Sequence, residues 1–303
     1  MRLFYCDHFE IPLPAGHKFP LGKYRLLRER IIRDGFWRLE PAELAPLETI
    51  ALAHDPEYVA QFAAGTLPPA AMRRIGFPWS AGLVTRTLAS AGGTLAGARD
   101  ALETGFGGTL AGGTHHAFRA EGSGFCVFND VAIAICSLRP KRAAVIDLDV
   151  HQGDGTAHFF EHDPTVLTIS LHGANNFPFH KQRSKIDVEL ADKTGDEEYL
   201  QALDSVLPRV LEFAPEIVFY LSGVDALASD VLGRLALTPE GLKARDERVI
   251  GACFLHKLPL VITLGGGYSR PIELTAEAHA NTFRVAAQIF KPSGTAPPRF
   301  SSL

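Results

Sequence analysis

Cysteine is scarce in this chain: four in 303 residues, at Cys6, Cys126, Cys136 and Cys253, with no C-x-x-C pair among them. That excludes a disulfide-stapled scaffold and a cysteine-built zinc finger, and it fits a reduced, cytoplasmic compartment. No block or stripe of Lys and Arg occurs, and the formal net charge is −4. Nucleic acid is therefore not expected as a direct ligand, whereas a basic peptide would not be repelled. No uncharged apolar stretch reaches bilayer length, so no membrane span is expected. The opening Met1-Arg2-Leu3-Phe4-Tyr5-Cys6-Asp7 lacks a long apolar core and a small-residue cleavage site, and reads as a first strand rather than a signal peptide. Internal repeats are missing, as is any linker rich enough in Pro, Gly or Ser to divide the chain.

What is present is ordinary for a soluble globular enzyme, with 46% hydrophobic and 21% charged residues. Short β-branched runs alternate with longer helical patterns, which predicts an α/β fold with a mostly parallel central sheet and helices on both faces. The expected strands are Leu3–Cys6, Ala143–Val150, Val166–Leu171, Ile217–Leu221 and Leu260–Leu264. The expected helices are Tyr24–Asp34, Pro56–Ala64, Ala81–Leu102, Asn129–Leu138, Glu197–Phe213, Pro239–His256 and Ile272–Phe290. One domain over 1–290 is expected. The remainder, 291–303, begins Lys-Pro-Ser-Gly-Thr-Ala-Pro-Pro and reads as a mobile tail.

The chemistry concentrates in Asp147-Leu148-Asp149-Val150-His151. Alternate strand residues share a face, so two carboxylates and an imidazole project together while Leu148 and Val150 pack behind. Charges in a strand buried on both sides are costly unless paired or bound to a metal. With Asp225, which follows Phe219-Tyr220-Leu221-Ser222-Gly223-Val224, the set offers two oxygens and one nitrogen. Three protein ligands with an open position is the pattern of a catalytic zinc site, and ferrous iron suits the same donors. A metal-free ion-pair network is the alternative, and the absence of a nearby Lys or Arg weighs against it. His115-His116 could be an ordinary surface loop, but Asp147 and Asp154 are carboxylates free to orient two imidazoles as base and acid. Gly265-Gly266-Gly267-Tyr268 could be a loose turn, or a close approach of backbone to ligand that swings one phenol into place. All these segments follow strands, where open α/β sheets bind ligands.

Together these residues resemble the zinc-dependent histone deacetylase family. The resemblance rests on Ile146-Asp147-Leu148-Asp149-Val150-His151-Gln152-Gly153-Asp154-Gly155-Thr156, Ala111-Gly112-Gly113-Thr114-His115-His116-Ala117, Gly124-Phe125-Cys126-Val127-Phe128-Asn129-Asp130 and Gly266-Gly267-Tyr268. The segments Gly16-His17-Lys18-Phe19-Pro20 and Arg74-Ile75-Gly76-Phe77-Pro78-Trp79-Ser80 look most like the class IV branch and its bacterial relatives. The resemblance implies an arginase/deacetylase-like fold, with zinc on Asp149, His151 and Asp225. It implies His116 with Asp154 as general base and acid, His115 with Asp147 as electrostatic partner, and Tyr268 polarising the acyl carbonyl. It further implies Gly124, Phe125, Phe177 and Gly267 along the channel for the acyl-lysine stem, and a structural K+ or Na+ near Asp147 and Ser170. The implied substrate is an acyl-lysine protein or peptide, or a small acylated amine.

Two rival readings stand beside this one. A binuclear manganese ureohydrolase shares the expected fold but needs bridging carboxylates, and Asp225 is followed by Ala226-Leu227 rather than by a second acid. A non-catalytic binding protein could keep the pocket without the chemistry.

Overall fold

The computed structural model describes residues 1–290. In chain order its elements are β1 (Arg2–Tyr5), α1 (Gly22–Asp34), β2 (Arg38–Pro41), α2 (Leu47–Ile50), α3 (Pro56–Ala64), α4 (Pro69–Ile75), α5 (Ala81–Thr104), β3 (Phe106–Gly108), α6 (Asp130–Leu138), β4 (Ala143–Asp147), α7 (Asp154–Phe160), β5 (Val166–Gly173), β6 (Ile186–Leu190), α8 (Asp196–Phe213), β7 (Ile217–Leu221), α9 (Pro239–Leu255), β8 (Leu260–Thr263) and α10 (Ile272–Phe290). Six strands make one all-parallel sheet in the order β3-β8-β7-β4-β5-β6, and β1 pairs with β2 as a separate parallel ribbon.

The strand sequences account for the layering. β4 (AAVID) and β7 (IVFYL) are buried at every position, as parallel strands covered by helices on both faces must be. On one face Ile146, Tyr220 and Ile262 pack with Leu203 of α8, Val249 of α9 and Phe283 of α10. On the other, Val145, Phe219 and Val261 pack with Leu95 of α5 and Val131 and Ile135 of α6. Burying each such side chain contributes about 1.5–3 kcal/mol. The helix starts follow their caps: the Thr238 hydroxyl accepts from Gly241 N at 3.0 Å ahead of Pro239, and the Ser80 hydroxyl accepts from Leu83 N at 3.0 Å.

Connectivity places the site. From β4 the chain lays β5 and then β6 to one side, and returns to place β7 on the other side of β4. Winding therefore reverses between β4 and β7. Loops on the two sides of such a reversal diverge and leave a crevice at the carboxyl ends of the strands.

Some expectations need correction. The ladder of β4 stops at Asp147 rather than Val150. The backbone beyond it stays extended enough that Leu148 N donates to Leu221 O at 3.1 Å and Val150 O accepts from Gly173 N at 2.9 Å. The alternation survives: Leu148 and Val150 join the core, and Asp147, Asp149 and His151 turn to the crevice side. The elements β2, β6, α2, α4 and α7 were not anticipated, because four to seven residues give too little periodicity. The tail expected over 291–303 lies outside the described residues. Among those described, no helix is long and apolar enough to cross a membrane.

Candidate metal centre and active site

The segments that continue β4 and β7 carry Asp149, His151 and Asp225 to the crevice from its two sides. One donor atom from each lies within 4.8 Å of the other two. His151 Nδ1 is 2.9 Å from Asp149 Oδ1 and 3.1 Å from Asp225 Oδ2. Asp149 and Asp225 are 1% and 0% exposed. Neither carboxylate is bonded by Lys or Arg: Asp149 accepts from the backbone N–H of His151 and Gly266, and Asp225 from that of Val150. Burial, then the charge of Asp149, pushes Asp225 up to about 7. Burial works to lower His151, but its bonds to the two carboxylates outweigh that and raise it to about 10. The two carboxylates thus favour a positive charge placed between them, and a divalent cation answers the same need. Two oxygens and one nitrogen beside open cavity fit a catalytic ion.

The loop after β3 brings His115 and His116 to the same place. Asp130, at the start of α6, fixes that loop. Its carboxylate accepts from Gly113 N at 3.0 Å, Thr114 N at 2.8 Å, Thr114 Oγ1 at 2.7 Å and Thr94 Oγ1 at 2.6 Å. His115 Nδ1 lies 2.7 Å from Asp147 Oδ2, and His116 Nδ1 lies 2.6 Å from Asp154 Oδ1. Burial disfavours the charged form of both imidazoles, and the neighbours then separate them. Asp147 and Asp149 raise His115 to about 9, whereas burial and the adjacent His115 charge lower His116 to about 4. The surroundings thus favour the imidazolium form of His115 and the neutral form of His116, 4.1 Å away between centroids.

These groups border a cavity of about 620 Å³ whose lining includes Asp149, His151, His116, Phe125, Phe177 and Tyr268. Gly124, also in the lining, has φ +53, and a Cβ there would sit 2.7 Å from His116 Cδ2. Phe177 meets the His116 ring edge-on at 4.9 Å, and Phe125 packs among Phe19 and Phe77, each at 5.3 Å. The Tyr268 ring is 6.4 Å from that of Phe125. Its backbone N–H donates to Asp230 Oδ2 at 2.6 Å, and burial holds its phenol well above the usual range. Gly265 and Gly266, rather than the expected Gly267, border the cavity; Gly267 faces Val224 and Thr275. Ser170 stands opposite Asp147 across the β4–β5 register, its Oγ 3.0 Å from His172 Nδ1.

Sequence reasoning missed Lys23, 2% exposed, whose Nζ donates to Gly265 O at 3.0 Å and lies 5.4 Å above the Tyr268 ring. Burial lowers this ammonium to about 8. The signal was present: Lys23 shares its helix face with Leu27 and Ile31, at core spacing. The supporting roles of Asp130 and Asp230 were missed as well.

A histone deacetylase domain model matches residues 17–285. An uncharacterised protein of Picosynechococcus is 43% identical over 294 residues, covering 94% of this chain and 98% of the relative. Histone deacetylase 2 of Arabidopsis thaliana is 30% identical over 299 residues, covering 89% and 75%. Histone deacetylase 8 of Xenopus tropicalis is 31% identical over 293 residues, covering 88% and 77%. Among solved structures, the HDA15 HD domain superposes with a TM-score of 0.78 at 21% identity, covering 98% of this chain and 89% of that one, and shares the fold. With this sheet, this crevice and matches of such extent, the chain belongs to the histone deacetylase family.

Proposed function

We propose that this chain is a zinc-dependent amide hydrolase that removes an acetyl or longer acyl group from a lysine side chain or a lysine-like amine. The observation that carries the reading is the meeting of Asp149, His151 and Asp225 within 4.8 Å beside a cavity that also contains His116 and Tyr268. Those three would hold the ion, which when bound supplies Lewis acidity to water and acyl oxygen. His116, with Nδ1 turned to Asp154, takes a proton from the attacking water at Nε2 and returns it to the departing amine. The His115 imidazolium, held by Asp147, offsets negative charge beside it. Tyr268, kept protonated by burial, donates to the acyl oxygen as charge develops there. Phe125 and Phe177 flank the alkyl stem, and Gly124 lets it come close. A structural K+ or Na+ beside Asp147 and Ser170 belongs to the same reading, as does a reducing cytoplasm for four free thiols.

The test is hydrolysis of acyl-lysine peptides of stepped chain length, and of acetylated polyamines, by protein stripped with a chelator and reloaded with zinc or ferrous iron. The expected result is one ion per chain, with activity lost on stripping and restored on loading. Full turnover by stripped protein overturns the proposal. Two ions per chain would favour the ureohydrolase reading, although Asp147 and Asp154 each already hold an imidazole. Bound zinc with no hydrolysis of any substrate would leave a binding protein.

A further inference from the structure

Arg245 and Asp246 are consecutive charged residues in α9, and both are inside the protein, 0% and 1% exposed. The guanidinium divides its bonds between two tasks. Nε and Nη2 donate to Asp246 Oδ1 at 3.0 and 2.9 Å, and Nη1 donates to Leu148 O at 3.3 Å and Gly223 O at 2.5 Å. Leu148 directly precedes Asp149, and Gly223 stands two residues before Asp225. Asp246 is itself anchored on two sides, accepting from Tyr220 OH of β7 at 2.5 Å and from Thr282 Oγ1 of α10 at 2.7 Å.

One side chain behind the sheet therefore joins the two loops that flank the reversal of winding, each next to a metal-ligand position. The packing there has little slack: a Cβ on Gly223 would lie 2.5 Å from Asp149 Oδ2, and one on Gly265 2.8 Å from the same oxygen. A shift between the loops must move one carboxylate relative to the other. Stability alone does not explain the pair, since a buried ion pair is often no better for folding than apolar residues of the same size. The planar fork of Arg, with several donors in fixed directions, spans a carboxylate and two carbonyls in a way that Lys does not.

We propose that Arg245, braced by Asp246, is a positioning residue that sets the separation of the Asp149 and Asp225 carboxylates and hence the grip of the site on its ion. This rests on the metal reading given above. The experiment loads the full chain with zinc and follows its transfer to a chromogenic chelator, for the wild type, Arg245→Lys, Arg245→Met and the control Arg248→Ala. Arg248 is on the same helix and pairs with Asp204 at the surface, away from both loops. Melting of the metal-free proteins and the kcat against KM split are recorded alongside. Release is expected to be about 10-fold or more faster in both Arg245 variants, in the range seen when groups behind metal ligands are lost. Metal-free Arg245→Lys is expected to melt close to the wild type, with kcat reduced, KM little changed and Arg248→Ala unaffected. Should Arg245→Met aggregate, Arg245→Lys carries the measurement. Zinc release at the wild-type rate from the Arg245 variants, with or without a lowered melting temperature, makes the residue merely structural and overturns this inference alone. A wild type that binds no ion overturns the functional proposal as well.

Discussion

Replacing Gly124 by Ala adds one methyl group beside the proposed base, and its effect can be worked out in two parts. The first is conformational: at φ +53 an L residue costs about 1–2 kcal/mol relative to glycine. For a chain of this size that lowers the melting temperature by about 2–4 °C per kcal/mol. The second is steric. The new Cβ would stand 2.7 Å from His116 Cδ2, short of an ordinary carbon contact of about 3.5 Å by about 0.8 Å. His116 cannot yield freely, because Asp154 holds its Nδ1 at 2.6 Å and Phe177 abuts its face at 4.9 Å. A displacement approaching 1 Å of a group that must meet the attacking water lowers turnover by about 100-fold. Gly105→Ala separates the two effects: Gly105 has φ +87 at the end of α5, with nothing within 4 Å of its Cβ position. Turnover on a fluorogenic acyl-lysine peptide and thermal melting are measured on both variants. Gly105→Ala is expected to lose stability and keep turnover, and Gly124→Ala to lose both. Equal turnover in the two would refute the placement of Gly124 against the base.

Three further outcomes follow from named contacts. Tyr268→Phe removes one hydroxyl from a residue that lines the cavity and is expected to lower kcat by about 100- to 1000-fold with melting and bound ion unchanged; near-normal turnover would remove the phenol from the mechanism. Asp130→Asn turns an amide NH2 toward donors that the carboxylate now satisfies, Gly113 N, Thr114 N and two hydroxyls, so unfolding in urea should show a loss of about 3 kcal/mol. His54 gives the stability a pH dependence. Its Nε2 accepts from Asn129 N at 2.9 Å, and burial lowers its pKa from 6.5 to about 4. The unfolded chain takes up this proton below pH 6.5 while the folded one refuses it, so stability falls as pH drops through that window to about 4, by about 3 kcal/mol at most. In His54→Gln that contribution to the slope disappears, as denaturant midpoints above and below the window will report.

The meeting of Asp149, His151 and Asp225 was legible in the sequence because a buried strand imposes a period of two on Asp147, Asp149 and His151, and because Asp225 follows an unbroken apolar run. The pairing of each His with its Asp came from the supply of carboxylates at strand ends together with the family resemblance, and both pairs meet in the fold at 2.7 and 2.6 Å. What stayed hidden depends on the third dimension. Nothing in Pro239–Leu255 tells that Arg245 and Asp246 point inward, since charged neighbours on a helix ordinarily mark its wet face. Lys23 is masked in the same way by Gly22 and Arg25, although its spacing to Leu27 and Ile31 betrays it. Which members of the glycine run face the cavity is decided by the path of the turn after β8, to which all three residues contribute. The edge strand β6, with Asp187 and Glu189 exposed between half-buried Ile186 and Val188, is too polar to stand out as sheet.

The crevice between the β4 and β7 loops is made by the order in which strands are laid down, and owes its existence to no single side chain. If the proposed function holds, a descendant that lost Asp149 or His151 would forfeit the chemistry and keep the groove. Under that proposal, erosion of the three donors would turn an enzyme into a recognition module in few steps, with the rings of Phe125 and Phe177 still lining the groove.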